Sequence, residues 1–225
     1  VSNELIWIIF ALVNFCMIIL VYRLFGKAGL FVWIGMSTVV ANIQVVKTIE
    51  LFGLTATLGN IIYGTAFLAT DILNENHNKN EAKKAVWMGF ATLIAMTIMM
   101  QIAMVFQPGE DDFAQGALET IFGFIPNIAI GSLAAFIVSQ YLDVWIYNKI
   151  RNVLPSKKYL WVRNNGSTMI SQLVDSLIFC GIAFYGAYPL GVWFEILLTT
   201  YFIKFIVAAI DTPFLYIAKK FKVKD

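Results

Sequence analysis

Seven stretches of this chain are apolar over roughly the length a helix needs to cross a lipid bilayer, about 20 residues. They are Leu5–Leu24, Ala28–Val46, Thr57–Leu73, Ala85–Phe106, Pro126–Tyr147, Ser167–Tyr185 and Val192–Ile217. None alternates apolar and polar residues in the manner of an outer-membrane strand. In lipid, a helix satisfies its backbone hydrogen bonds within itself, so an all-α, polytopic membrane helix bundle is expected. Composition agrees: 60% of the 225 residues are hydrophobic and 13% charged, against about 45–50% and 25% in an ordinary soluble domain. A soluble fold of this size cannot cover so much apolar surface. That excludes a soluble enzyme, a disordered chain and a nucleic-acid binder. The solvent is the lipid bilayer.

Local sequence refines the spans. The third run is short and contains Gly59, Asn60, Tyr63, Gly64 and Thr70; it is expected to face other helices or to be partly irregular. Pro126 should break or begin the fifth span, and Phe113–Ile125 before it reads as a short interfacial helix or a re-entrant piece. The first run lacks a preceding basic stretch and is long enough to remain a helix, so no cleaved signal is expected.

Direction follows from basic residues in short loops. Apart from Lys47 and Lys204, all of the 16 lysines and arginines fall on one side of an alternating seven-span arrangement. They cluster at Arg23 and Lys27, at Lys79–Lys84, at Lys149–Arg163, and in the tail from Lys219. The other side holds Lys47, the acidic loop Gln107–Gly116 and the uncharged turn Gly186–Gly191. The N-terminus is therefore expected outside and the C-terminus in the cytoplasm. The formal charge of +2 implies no anionic partner. Cys16 and Cys180 lie in apolar runs and are expected to be buried thiols, and with His77 as the lone histidine no metal site is expected.

A charge inside a span costs about 2.5–3.5 kcal/mol on insertion scales, so the polar residues placed there are informative. Span two offers Asn42, Gln44 and Lys47 in its outer half. Span three carries Tyr63 and, near its cytoplasmic end, Thr70, Asp71 and Glu75, with the two carboxylates on one face at i and i+4. Gln140 and Asp143 in span five, and Gln172 and Asp175 in span six, are each at i and i+3. Asp175 lies about 12 Å into its helix at 1.5 Å per residue, out of reach of a helix end. Lys204 and Asp211 share a face of span seven. The pattern Ser-Gln-x-x-Asp occurs at 139–143 and 171–175 in helices running in opposite directions, as an inverted transporter repeat would leave it.

Structural readings stand beside these. Asp71 and Glu75 could pair with Lys79 or Lys83, Asp143 with Arg151 or Lys149, Asp211 with Lys204 or a tail lysine, and Asp175 with Lys204. Asn42 and Gln44 could be interhelical glue. As a set, donors and acceptors at several depths suit a flat, polar solute such as a nucleobase. Its N–H edge needs a carboxylate or amide, its carbonyl a donor, and its face an aromatic ring such as Tyr63 or Phe67. Buried carboxylates also allow proton coupling. An ion channel would show rings of carbonyls or charges. One alternative is a substrate-binding membrane subunit driven by a separate ATPase, since the chain has no P-loop. Another is a membrane enzyme using paired carboxylates, against which stands the lack of a metal cluster or activated nucleophile. No cofactor is called for.

Several stretches carry a family resemblance: Ala41-Asn42, Lys47, Leu51-Phe52-Gly53, Tyr63-Gly64, Phe67-Leu68-Ala69-Thr70-Asp71-Ile72-Leu73 and Glu75. Further on come Ile130-Gly131-Ser132, Gln140 with Asp143, Arg163-Asn164-Asn165 before Ser167-Thr168, Gln172 with Asp175, and Lys204 with Asp211. Across residues 38–217 the chain resembles the queuosine precursor transporter family, also called the vitamin uptake transporter family. The resemblance implies a bacterial inner-membrane protein with six core spans that takes up 7-deazaguanine bases for tRNA modification. Those bases are 7-cyano-7-deazaguanine, 7-aminomethyl-7-deazaguanine or queuine. The chain would be one transporter domain, residues 1–225. Leu5–Leu24 is then an additional N-terminal transmembrane helix before a family-like core at 28–217 and a basic tail at 218–225, and a homo-oligomer is compatible with it. On this reading Asp175 and Asp71 grip the N–H edge of the base, and Gln172 and Asn42 read its carbonyl or pyrrole side. Lys204 keeps Asp175 or Asp211 charged in the empty state, and Asp143 and Asn165 complete the pathway.

Overall fold

The computed structural model describes residues 2–156 and 160–221. It is a helix bundle with one small hairpin: α1 Asn3–Gln44, β1 Thr48–Leu51, β2 Leu54–Thr57, α2 Asn60–Asn76, α3 Lys79–Ala103, α4 Gln115–Phe122, α5 Ile125–Val153, α6 Leu160–Phe184 and α7 Leu190–Lys219. The all-α membrane bundle read from the sequence is borne out. Among the described residues, 4 helical segments are long and apolar enough to span a membrane, in α1, in α3, from α4 into α5, and in α7. A shorter apolar segment, Met169–Phe184, lies in α6.

Straight, the 42 residues of α1 would reach about 63 Å, roughly twice the hydrocarbon thickness of a bilayer. They do not run straight. Gly26 has φ 57° and ψ −142°, a conformation that the Cβ of other residues resists. There the chain folds back, so that Asn3 Nδ2 donates to the Glu50 carbonyl at 2.8 Å, just beyond the far end of the helix. The first two apolar runs are thus two arms joined through Gly26. On the first arm Trp7, Ala11, Phe15, Ile18 and Tyr22 are buried at helical spacing, while Leu5, Ile9, Leu12 and Leu20 are exposed to the lipid side. Cys16 belongs to that outer face, which corrects the expectation that it is buried; Cys180 is buried.

The hairpin corrects the start of the third span. Thr57 ends β2 rather than opening a helix, and α2 begins at Asn60. Thr48 pairs with Thr57 and Leu51 with Leu54. Phe52 (φ 52°) and Gly53 (φ 75°) form the two-residue left-handed turn that matches strand twist. Glu4 accepts from the Phe52 N–H at 3.0 Å and Glu195 from the Thr55 N–H at 2.9 Å, tying the hairpin to α1 and α7. As expected, the 113–125 segment contains a short helix, α4, and Pro126 sits in the first turn of the fifth span, α5.

The opposite end of the bundle gathers basic residues. Asn76 Nδ2 donates to the Tyr22 hydroxyl and to the Ala218 carbonyl, both at 2.9 Å. Lys219 pairs with Glu75 at 2.6 Å, and Lys27 lies 4.0 Å from Glu81. The fold-back of α1, the α2–α3 turn and the end of α7 therefore meet there. Two apolar cores lie between the ends. One joins α1, α2, α3 and α7 through Phe15, Tyr22, Leu30, Ile72 and Val207. The other joins α3 to α7 through Leu93, Ile125, Ile128, Cys180 and Phe184. Along α5, buried Gly131, Ala135 and Ser139 recur at four-residue spacing, small residues that let α6 approach closely.

Two outcomes follow. Gly26→Ala should cost about 1–3 kcal/mol, the usual strain of such a backbone conformation, and lower the thermal unfolding temperature in detergent. Gly109→Ala, in open space, should leave that temperature unchanged. The Phe52 N–H holds the Glu4 carboxyl below its ordinary value of 4.5. A lowered folded-state pKa gives stability that is present above the unfolded value and lost as pH falls through the folded one. Hydrogen-exchange protection of the Phe52 amide should therefore fall on acidification below about pH 4.5, and should already be low at neutral pH in Glu4→Ala.

Candidate functional site

The site is built around a charge pair on facing helices. Lys204 of α7 is ion-paired through Nζ to Asp175 Oδ2 of α6, and the two side chains are only 13% and 16% exposed. Ser139 Oγ, from α5, donates to the other Asp175 oxygen at 3.2 Å. The Phe179 ring lies 5.9 Å from the Lys204 ammonium and adds a cation–π contact. Charges this deep persist only when paired and hydrogen-bonded, and this pair is both.

Two hollows meet at Lys204. One, of about 40 Å³, is bounded by Asn42 of α1, Asn60 and Tyr63 of α2, Ser132 of α5, Asp175 and Lys204. Asn42 donates from Nδ2 to the Thr38 carbonyl at 2.7 Å and accepts at Oδ1 from Ser132 Oγ at 3.4 Å. The volume is near one water molecule's share of the liquid, about 30 Å³. The second hollow, of about 210 Å³, lies between α2, α6 and α7 and is bordered by Tyr63, Phe67, Asp71, Gln172, Lys204 and Asp211. Pockets for drug-sized ligands begin at about 300 Å³, and a bicyclic base is smaller than those. Tyr63 and Phe67 meet edge to face at 5.0 Å along its wall. A third cavity, of about 670 Å³, opens on the other flank of α2 against α1, α3 and α5.

The expected polar residues divide accordingly. Asn42, Tyr63, Asp175 and Lys204 come together at the small hollow, and Asp71, Gln172 and Asp211 join Tyr63 and Lys204 at the second. Thr70 lines the third cavity and donates to the Ala66 carbonyl at 2.9 Å. Three residues stand apart. Lys47 is exposed in the turn before β1, because α1 ends at Gln44 and the hairpin takes over. Glu75 is exposed at the basic end and pairs with Lys219 rather than with Lys83; the side chain of Lys79 falls outside those described. Gln44 borders none of the three hollows, and its buried Oε1 has no hydrogen-bond partner. Gln140, Asp143 and Asn165 lie on α5 and α6, and their side chains fall outside those described.

Sequence reasoning missed Asn60, Ser132, Ser139 and Tyr201 as wall or support residues. Ser139 was visible as the first letter of the Ser-Gln-x-x-Asp pattern. Asn60 follows Gly59, whose φ of 99° and close approach to the Ala41 carbonyl leave no room for a Cβ. That glycine presses the start of α2 against α1 and sets Asn60 beside Asn42. Ser132 and Tyr201 become recognisable only once α5 and α7 are placed in space. Amides, hydroxyls, carboxylates and one ammonium around a hollow of this size can bind a flat polar solute. Among the described residues no cluster suited to a metal ion occurs.

The family model described as "Putative vitamin uptake transporter" matches residues 57–218. A protein of Bacillus subtilis (strain 168) named "Probable queuosine precursor transporter" is 57% identical over 218 residues, covering 97% of this chain and 95% of the relative. The "Queuosine precursor transporter" of Escherichia coli (strain K12) is 29% identical over 174 residues, 76% of this chain and 75% of that protein. A "Probable queuosine precursor transporter" of Haemophilus influenzae is 30% identical over 135 residues, 60% of this chain and 54% of the relative. No solved structure matches. A family match across most of the chain, with a relative this similar along nearly its whole length, makes the chain a member of the vitamin uptake transporter family.

Proposed function

We propose that the chain is a multi-pass membrane transporter that imports queuosine precursors, bases of the 7-deazaguanine class such as 7-cyano-7-deazaguanine, 7-aminomethyl-7-deazaguanine or queuine. Relatives bearing the queuosine precursor transporter name support the cargo. The observation that carries the reading is the partly buried Lys204–Asp175 pair at the junction of two hollows walled by amides and aromatic rings. The second hollow is the binding chamber. Tyr63 and Phe67 cover the face of the base, Gln172 reads its polar edge, and Asp175, at the small hollow that adjoins the chamber through Lys204, exchanges Lys204 for the guanine-like N–H groups. The basic end faces the cytoplasm, in keeping with the excess of lysine and arginine there, and an inward proton gradient supplies the drive.

The test is uptake of labelled 7-cyano-7-deazaguanine by proteoliposomes that contain this chain and no ATPase. Acid outside should accelerate it. A hydrogen bond to a charged group is worth about 1.5–3 kcal/mol, so Asp175→Asn should lower uptake roughly tenfold to a hundredfold. Gln172→Ala, which leaves the ion pair intact, should raise the concentration for half-maximal uptake about five- to tenfold, the worth of one neutral hydrogen bond. Normal transport by both variants would falsify this placement of the site.

A further inference from the structure

Tyr63, Phe67 and Asp71 are spaced four apart on α2 and form one stripe along the helix. All three border the 210 Å³ chamber and also the 670 Å³ cavity on the other flank of α2. The stripe descends toward the basic end, since Asp71 is one turn before Glu75 and its partner Lys219. Across the larger cavity stand Trp87 and Phe90 of α3, whose rings meet at 6.1 Å, and Phe90 in turn contacts Phe136 at 4.8 Å. Lys83, one turn nearer the basic end, completes that wall.

Two features point to a watered space rather than a lipid groove. Asp71 has no ion-pair partner among the described residues, and a carboxylate facing acyl chains alone is costly. Thr70 and Lys83 line the same space beside it. The aromatic wall supplies flat stacking surfaces, and the carboxylate an acceptor for paired N–H donors. Because Asp71 and Phe67 belong to both spaces, a flat heterocycle can pass from one to the other without losing either contact.

From this juxtaposition we propose that the larger cavity is a second binding site, an aqueous vestibule beside the chamber that takes the same planar, N–H-rich heterocycle on its way to or from it. It rests on the transport reading given above. Stacking on Trp87 and hydrogen bonding to Asp71 hold the cargo there.

The test replaces Thr70 with cysteine and measures its reaction with a charged, membrane-impermeant thiosulfonate, against Leu12→Cys on the lipid face of α1. Entry of a charge into lipid is costly, so Thr70→Cys should react at least about tenfold faster. Saturating 7-cyano-7-deazaguanine should slow it. Equal rates at the two positions would mean an acyl-filled groove and overturn the proposal, as would labelling indifferent to the base. Trp87→Ala should lower uptake several-fold and Trp87→Phe restore it. Trp87 is 66% exposed, so its removal leaves the cores intact, and full uptake by Trp87→Ala would overturn the vestibule. The labelling contrast needs no base, so it can succeed even where Gln172→Ala shows the chamber to be misplaced.

Discussion

The Lys204–Asp175 contact fixes more of this molecule than any other polar interaction described. It joins the middles of α6 and α7, and it is reached from α5 by Ser139. Removing one member of such a pair costs about 3–5 kcal/mol, because the other is left charged in a medium that solvates it poorly. An apolar pair would hold the same helices together at less risk. The charges make sense where something must be bound at that depth, and the two hollows that meet at Lys204 supply the space.

The hollows exist because the bundle has two cores and a seam. The cluster around Phe15, Ile72 and Val207 is closed on itself, and so is the one around Ile128, Cys180 and Phe184. At the seam, α2 has only 17 residues, about 26 Å of helix, less than the roughly 30 Å of hydrocarbon. The hairpin makes up the remaining distance. The first turn of α2 therefore starts inside the bundle, where Asn60 and Tyr63 face the ion pair rather than headgroups. A helix that begins at membrane depth is tolerated because its end is buried in protein and faces a polar hollow.

Much of this was legible in the sequence, and the failures have a common cause. Spans appear as apolar runs because lipid selects on composition over twenty residues, and the gathering of basic clusters at one end follows from loop charge. The family could be named from short polar stretches such as Phe67–Asp71. Local geometry within an apolar run was not legible. The hairpin lies between two greasy stretches, and its Phe52-Gly53 turn reads as ordinary until both residues are seen at positive φ. Gly26 likewise looked like part of a loop and is the whole connection. Pairing in space was legible only in part. Asp175 with Lys204 stood among the structural readings, but so did Asp211 with Lys204, and only the facing of α6 and α7 decides for Asp175. Glu75 with Lys219 did not, because Lys79 and Lys83 are nearer in sequence and only the meeting of α2 with the end of α7 brings Lys219 close.

The three cavities are not stacked along one axis. About 40 Å³ lies beneath the hairpin, and spaces of about 210 and 670 Å³ flank the same stretch of α2, from Tyr63 to Asp71. The hairpin side is shut by hydrogen bonds from Phe52 and Thr55 to Glu4 and Glu195, and by Gly59 pressed on the α1 backbone. Any opening on the hairpin side has to loosen that closure. The closure is more than polar, because Leu51 and Ala56 of the hairpin are buried in the first apolar core. Opening the hairpin end therefore disturbs that core, and separating the closely packed α5 and α6 would disturb the second.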